Sequence, residues 1–411
     1  MRARRAARMS LNRPSASNEE LRLTAPLWVQ PLRWVAVSVM TAYYSLAYRI
    51  AGWGRLPRKR GPSLLVANHQ HEIESPAIVA MVTLQAVSWR YPIFTVSSRR
   101  MWEPGFLAER IPWLAFMLNT VNLGPLFSAL GMQPIENELH SRPFASLAYT
   151  LRKRFGDAPV DQVFRRRAIE RLPASARRLS DLLTPANFEV AHTAVTLSEL
   201  NDPYKAEALK ETRAQLERDL QHFERLARAG ATIFLTPEGF YSGDGKMQRL
   251  RGVLSRLQPL ADTWLLGISY DPFVGRRLAL LYRIGPATDG LPLDVQLKRL
   301  RPVTTSALLS TWLSTRSGPF TEEEALAAVR GQLAALPRSL FVEPQLRSHP
   351  EQRTRAVLDR MTGLGTLLLV HGEYALSGQR AHPQFPGTAD MIAYQANFHA
   401  DTLEGARYAA A

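Results

Sequence analysis

Five short apolar runs constrain this chain most. They are Leu64 to Ala67, Tyr91 to Ser98, Ala231 to Leu235, Trp264 to Tyr270 and Leu278 to Ile284. Each is too short for a typical helix and is bounded by proline, glycine or polar residues, the mark of a strand buried on both faces. Helical patterns lie between them. Pro76 to Ala80 reads as the first turns of a helix, with proline tolerated near its start. Strands interleaved with helices imply an α/β fold. In open α/β sheets ligands gather outside the carboxyl ends of strands. The strand exits are therefore where the chemistry is expected.

Two exits carry it. The run ending at Ala67 leads into Asn68 and His69, and Glu74 follows five positions after His69. A carboxylate at that distance can fold back on the imidazole. An imidazole near its ordinary pKa, oriented and charge-stabilised by an acid, is what a general base needs. The run ending at Leu235 leads into Pro237-Glu238-Gly239, with Ser242 just beyond. Blander readings stand beside these. A histidine in a loop after a strand is commonly solvated and idle. His69, His71, Glu72 and Glu74 also form a candidate metal cluster, although a zinc site needs three protein ligands and no second cluster is evident. Neither metal nor cofactor is expected. The chain has no cysteine, so disulfides and thiol catalysis are excluded. It also has no G-x-S-x-G elbow for an acyl-enzyme.

The stretch Asn68-His69-Gln70-His71-Glu72-Ile73-Glu74-Ser75-Pro76 resembles the N-H-x-S-x-x-D-x-P block of the glycerolipid acyltransferases, of the lysophosphatidic acid acyltransferase type. His71 stands where serine is usual and Glu74 where aspartate is usual. Residues 234–242 resemble the F-P-E-G-T-R-S block, with Pro237, Glu238, Gly239 and Ser242 matching and Phe240 and Tyr241 departing. Residues 131–137 end like G-x-I-P-V-x-R, with Asn137 in place of arginine. Leu250-Arg251-Gly252-Val253 and the strands of 264–284 continue the likeness, which covers about residues 30 to 286.

The resemblance implies a mixed sheet flanked by helices, with residues 138–229 as a helical insertion and a mainly helical C-terminal extension. It implies His69 as base, Glu74 as its partner, and Asn68, Pro237, Glu238, Gly239 and Ser242 at the substrate site. The implied reaction moves an acyl group from acyl-CoA or acyl carrier protein to a lipid hydroxyl. Asn137 and Tyr241 stand where the family offers arginines. Two charge-assisted contacts are thereby lost, which points to an acceptor without a terminal phosphate. A non-catalytic lipid-binding protein on the same fold is the alternative.

Charge and order along the chain complete the reading. A net charge of +15 points to an anionic partner. Nucleic acid is not expected, because the basic residues are scattered among apolar strands without aromatic interleaving. Residues 1–24 are polar and basic and read as disordered. They do not read as a signal peptide, because no apolar stretch follows directly. Residues 34–48 are uncharged, with interfacial aromatics and basic flanks. Fifteen helical residues span about 22 Å, short of a roughly 30 Å hydrocarbon core. Residues 25–56 are accordingly read as a helix dipping into the cytoplasmic leaflet, peripheral or monotopic, with a buried core helix as the alternative. The acyltransferase domain is placed at 57–290. Its insertion is read as a cap over a substrate groove or as a decorating hairpin. The C-terminal extension is placed at 291–411. Within it Thr321 and Glu324 form a capping box, and everything from Gly378 onward reads as a loose tail.

Overall fold

The computed structural model describes residues 29–56, 61–71, 73–86, 93–102, 122–136, 141–191, 193–239, 242–250, 252–385 and 387–409. The basic segment 1–24 and the positions Glu72, Asn137, Phe240, Tyr241 and Arg251 lie outside the described residues.

Each of the five expected runs forms a strand of one sheet, and two strands that were not expected, at 49–53 and 132–135, complete it. In chain order these are β1 (Arg49–Trp53), β2 (Ser63–Ala67), β3 (Ile93–Ser98), β4 (Met132–Ile135), β7 (Thr232–Leu235), β8 (Asp262–Asp271) and β9 (Ala279–Pro286), arranged β1-β9-β8-β2-β7-β3-β4. From β8 across to β4 all neighbours are parallel, while β9 runs antiparallel to β8 and carries β1 with it. The fold is thus α/β, with a mainly parallel central sheet flanked by helices.

Alternation along β2 shows why both faces must be covered. Leu64 and Val66 enter one apolar cluster, and Leu65 and Ala67 enter another. All four side chains are fully buried. On one face lie α2 (Glu74–Ala86), α6 (Thr305–Leu313), α8 (Pro350–Gly363) and α9 (Met391–Tyr408), which contribute Ile78, Leu309, Leu358 and Tyr394. On the other lie the end of α4 (Tyr204–Arg228), with Phe223 and Leu226, and α5 (Leu293–Leu300), with Leu297. Burying each large apolar side chain contributes about 1.5–3 kcal/mol, an upper figure because unfolded chains are partly compact.

Residues 141–204 form a lobe with a separate core around α3 (Phe144–Phe155), in which Phe144, Leu147, Phe164 and Leu179 meet. Its mouth is pinned where β5 (Ser141–Pro143) pairs antiparallel with β6 (Ala194–Thr196). Along α4 the buried positions include Ala208, Phe223, Leu226 and Ala227, and Gly230 stops the helix with φ +95°. Asn201, just before α4, donates to the carbonyls of Gln162 and Phe164 and so ties the helix start to the lobe.

Two expectations need revision. The segment 25–56 is not one helix: the apolar helix α1 spans Val29–Ala47, and residues 49–53 leave it to form the edge strand β1. The helix packs on α2 and β1 but leaves Leu32, Val35, Val39, Tyr43 and Leu46 exposed as one stripe. Among the described residues no helix is long and apolar enough to cross a membrane. Secondly, the tail from Gly378 is not loose. Asp390 caps α9 by accepting from the Ala393 amide, and Met391, Tyr394, Gln395, Phe398 and Thr402 are buried along it. Glycine, proline and alanine in the composition masked a stripe of helical spacing. The capping box at Thr321 and Glu324 does form, opening α7 (Glu322–Ala335). Residues Leu367–Val370 make β10, paired in a hairpin with β11 (Glu373–Leu376).

Candidate active site

β2 and β7 are neighbours and run parallel, so their carboxyl ends open on the same sheet edge. His69 leaves β2 there and the Glu238 turn leaves β7. The position of Glu74 follows from local geometry. It is the first residue of α2, where backbone amides lack intrahelical partners. Its Oε1 accepts from Gln70 N at 2.7 Å and His71 N at 3.0 Å, which curls residues 69–74 back on themselves. Its Oε2 then meets His69 Nδ1 at 2.8 Å. The extra methylene of glutamate over aspartate is absorbed by this loop. With the carboxylate taking Nδ1–H, Nε2 is left as the basic nitrogen.

The imidazole is largely enclosed, with 16% of its side chain exposed. Burial alone would lower its pKa. The hydrogen bond and charge of Glu74, with the charge of Glu238, outweigh that and hold it above the ordinary value. Tyr270 is fully buried close enough to Glu74 to feel its charge, but without hydrogen-bond geometry at its hydroxyl. Burial, then that charge, drives its phenol pKa up.

Glu238 ties the two strand exits together. Thr236 to Gly239 form a β-turn closed by Gly239 N to Thr236 O at 3.2 Å, with Pro237 second in the turn and Gly239 at φ +77°. Glu238 Oε1 accepts from His69 N at 2.7 Å, and Oε2 accepts from Gln248 N at 2.6 Å. Burial pushes this carboxyl up to about 6, while Arg301 and the two amides pull the other way.

The remaining expected site residues have local tasks. Asn68 is fully buried. Its amide donates to Ile268 O at 3.1 Å and accepts from Ile268 N at 2.6 Å, extending the β2–β8 seam by a side-chain rung. Both of its polar ends are thus turned into the sheet. Ser242 is buried and accepts from Gly245 N at 3.0 Å. Pro237 and Gly239 shape the Glu238 turn.

His71 is a latch. Its Nδ1 lies 3.3 Å from Ile73 N and its Nε2 lies 2.8 Å from Gln384 O, which fixes the orientation of the ring. The ring packs on Tyr270 and Phe385. It therefore joins the His69 loop to the C-terminal segment. Among the described residues no three histidine or acidic side chains converge as a metal site requires.

Sequence reasoning missed Tyr270, Arg301, Gln384, Tyr394 and Asp401. Gln70 Nε2 donates to Tyr394 hydroxyl at 3.2 Å. A Cβ on Gly245 would stand 2.1 Å from the Tyr394 carbonyl oxygen, so that glycine, at φ +85°, lets the loop lie against α9. The available signal was the capped stripe 391, 394, 395, 398, 402, which pointed to a packed helix without naming its neighbour.

No family model matches this chain, and no curated protein matches it. Among solved structures it is similar to the 1-acyl-sn-glycerophosphate (LPA) acyltransferase PlsC from Thermotoga maritima, at 10% identity over 64% of this chain and 71% of that chain. The TM-score is 0.29, too low to carry an assignment of fold or function.

Proposed function

We propose that this chain is an acyltransferase that moves a fatty acyl group from a thioester to a hydroxyl of a lipid. The observation that carries this reading is the His69–Glu74 pair, 2.8 Å apart, at a strand exit shared with Glu238. His69 Nε2 takes the proton from the acceptor hydroxyl as its oxygen attacks the thioester carbonyl. Glu74 holds Nδ1–H and stabilises the imidazolium. The tetrahedral oxyanion collapses, the carbon–sulfur bond breaks, and the thiolate recovers the proton from His69. Backbone amides stabilise the oxyanion. No enzyme-bound acyl group is needed.

The donor is acyl-CoA or acyl carrier protein. The acceptor is a hydroxylated lipid or glycolipid without a terminal phosphate. Supporting this, Arg99 is committed to Asp219, and Arg142 is buried against Ser146 at 2.7 Å. Neither is poised as a replacement phosphate clamp. The exposed stripe of α1 supports peripheral attachment at the cytoplasmic face of a membrane.

The test offers purified protein both thioester donors, on vesicles, with phosphate-bearing and neutral hydroxylated lipids. Wild type should release thiol and acylate a neutral lipid. His69→Ala should lose about 10²–10⁴-fold in kcat while keeping its fold, the usual worth of a general base. Glu74→Gln should also lose most activity. Turnover by His69→Ala within a few-fold of wild type would refute the mechanism. Absence of turnover with either donor would favour the lipid-binding alternative.

A further inference from the structure

We infer that Asp401, on the C-terminal helix α9, is a positioning residue for the strand-exit site. Asp401 Oδ2 accepts from Met247 N at 3.1 Å and from Arg301 Nη1 at 2.8 Å. The next amide in the chain, Gln248 N, donates to Glu238, and Glu238 accepts His69 N. One carboxylate on the last helix therefore fixes the backbone step that holds Glu238, which fixes the backbone of the base. The inference deepens the acyltransferase reading and rests on it only for its kinetic arm.

Three further observations show that this is a built contact. Arg301 is buried, with 1% of its surface exposed, and its guanidinium lies 4.4 Å from the Phe398 ring centroid on α9. A buried guanidinium needs its carboxylate, so Asp401 is held in place from below. Lys298 Nζ sits 2.7 Å from the other oxygen, Asp401 Oδ1. Asn397, one turn earlier on the helix, donates to Asp244 O at 3.0 Å. The loop after β7 is thus stitched to α9 at two backbone points. Groups facing Glu238 come from three other elements: His69 at the β2 exit, Glu74 on α2 and Arg301 after α5. The charge of Arg301 opposes the burial that favours a protonated Glu238. A displaced Arg301 would make Glu238 easier to protonate and so less able to accept both amides.

The experiment compares Asp401→Asn, Asp401→Glu and Lys298→Met in the full chain. Lys298→Met removes an ion-pair partner of Asp401 without touching the Met247 or Arg301 contacts, and so controls for helix docking. Amide hydrogen exchange at residues 247–248 and at His69 needs no substrate. It should accelerate at least tenfold in Asp401→Asn, partly recover in Asp401→Glu, and stay within twofold of wild type in Lys298→Met. In thioester turnover Asp401→Asn should lower kcat by about 10²-fold with KM little changed, the scale expected for misplacing a catalytic group by about 1 Å. If Asp401→Asn does not fold, Asp401→Glu carries the test, with the same direction and a smaller effect. Unchanged exchange at 247–248 and His69 overturns the inference while leaving the proposed activity standing. Equal damage from Lys298→Met and Asp401→Asn also overturns it, because docking alone would then explain both. Absence of turnover in wild type refutes the acyltransferase reading and leaves the exchange result intact.

Discussion

The insertion lobe and the C-terminal segment look alike as appendages to a sheet, yet they join it in opposite ways. The lobe closes a core of its own around Phe144, Leu147 and Phe164, and reaches the sheet through one long helix. The C-terminal segment has no separate core. Leu340, Leu358, Tyr374, Met391 and Tyr394 belong to the same cluster as Leu65 and Phe234 of the central strands. The difference lies in core continuity. A segment that completes the core of a sheet can set the geometry of its strand exits, whereas a segment with its own core can be altered without disturbing them.

The largest expected effect follows directly. Ending the chain at Leu376 removes α9 and with it the buried side chains of Met391, Ile392, Tyr394 and Phe398. At about 1.5–3 kcal/mol each, these four side chains contribute about 6–12 kcal/mol, comparable to the 5–15 kcal/mol stability of a whole domain. Arg301 would also be left buried without Asp401, at a further cost of about 3–5 kcal/mol. The truncated chain should therefore lose cooperative thermal unfolding by circular dichroism. A sharp transition within a few degrees of wild type would break the comparison at its foundation.

A milder effect separates the two regions by pH. His382 and His399 are buried in the C-terminal segment, at 2% and 3% exposure. Burial holds both near a pKa of about 4, with Arg360 adding to the effect at His382. Both are neutral in the fold, while the unfolded chain takes up protons near pH 6.5. The stability from keeping them neutral is whole above pH 6.5 and is lost as pH falls toward 4, by up to about 3 kcal/mol per histidine. Among the described residues of the lobe there is no buried histidine. Hydrogen exchange, corrected for intrinsic rate, should therefore show α9 loosening between pH 6.5 and 4.5 while α3 stays protected. Simultaneous loosening of both would mean that the two cores are coupled.

What was legible in the sequence follows the same division between local and distant contacts. His69 and Glu74 are five residues apart, so their pairing is written in one loop and one helix start. The apolar runs announce strands because buried parallel strands tolerate few charges. Strand order is not announced, because β7 reaches its place between β2 and β3 only after the long insertion. Asp401 lies 154 positions from Met247, and Arg301 lies 100 positions from Asp401. No local pattern distinguishes a buried ion pair at that separation from a solvated helix charge. The α9 stripe has helical spacing, but the Gly- and Pro-containing approach to it has none and reads as loop.

The smallest expected effect comes from removing the lobe, and it is the most discriminating. Pro143 and Ala194 are already cross-strand partners at its mouth. Replacing residues 144–193 with a two-residue Asn-Gly turn would close β5 and β6 into a tight hairpin. The cut uncovers Ala208, Leu209 and Tyr204 at the start of α4, but it leaves Phe223, Leu226 and Ala227 on the sheet face. Because the two groups of contacts lie at opposite ends of one helix, fraying at the first need not reach the second. The shortened chain should keep a cooperative transition and turn over thioester within a few-fold of wild type. A KM raised tenfold or more with kcat unchanged would instead make the lobe a cap that helps hold substrate. Loss of kcat together with faster exchange at Gln248 would mean that α4 transmits strain to the Glu238 turn, and that a core of its own does not isolate the lobe.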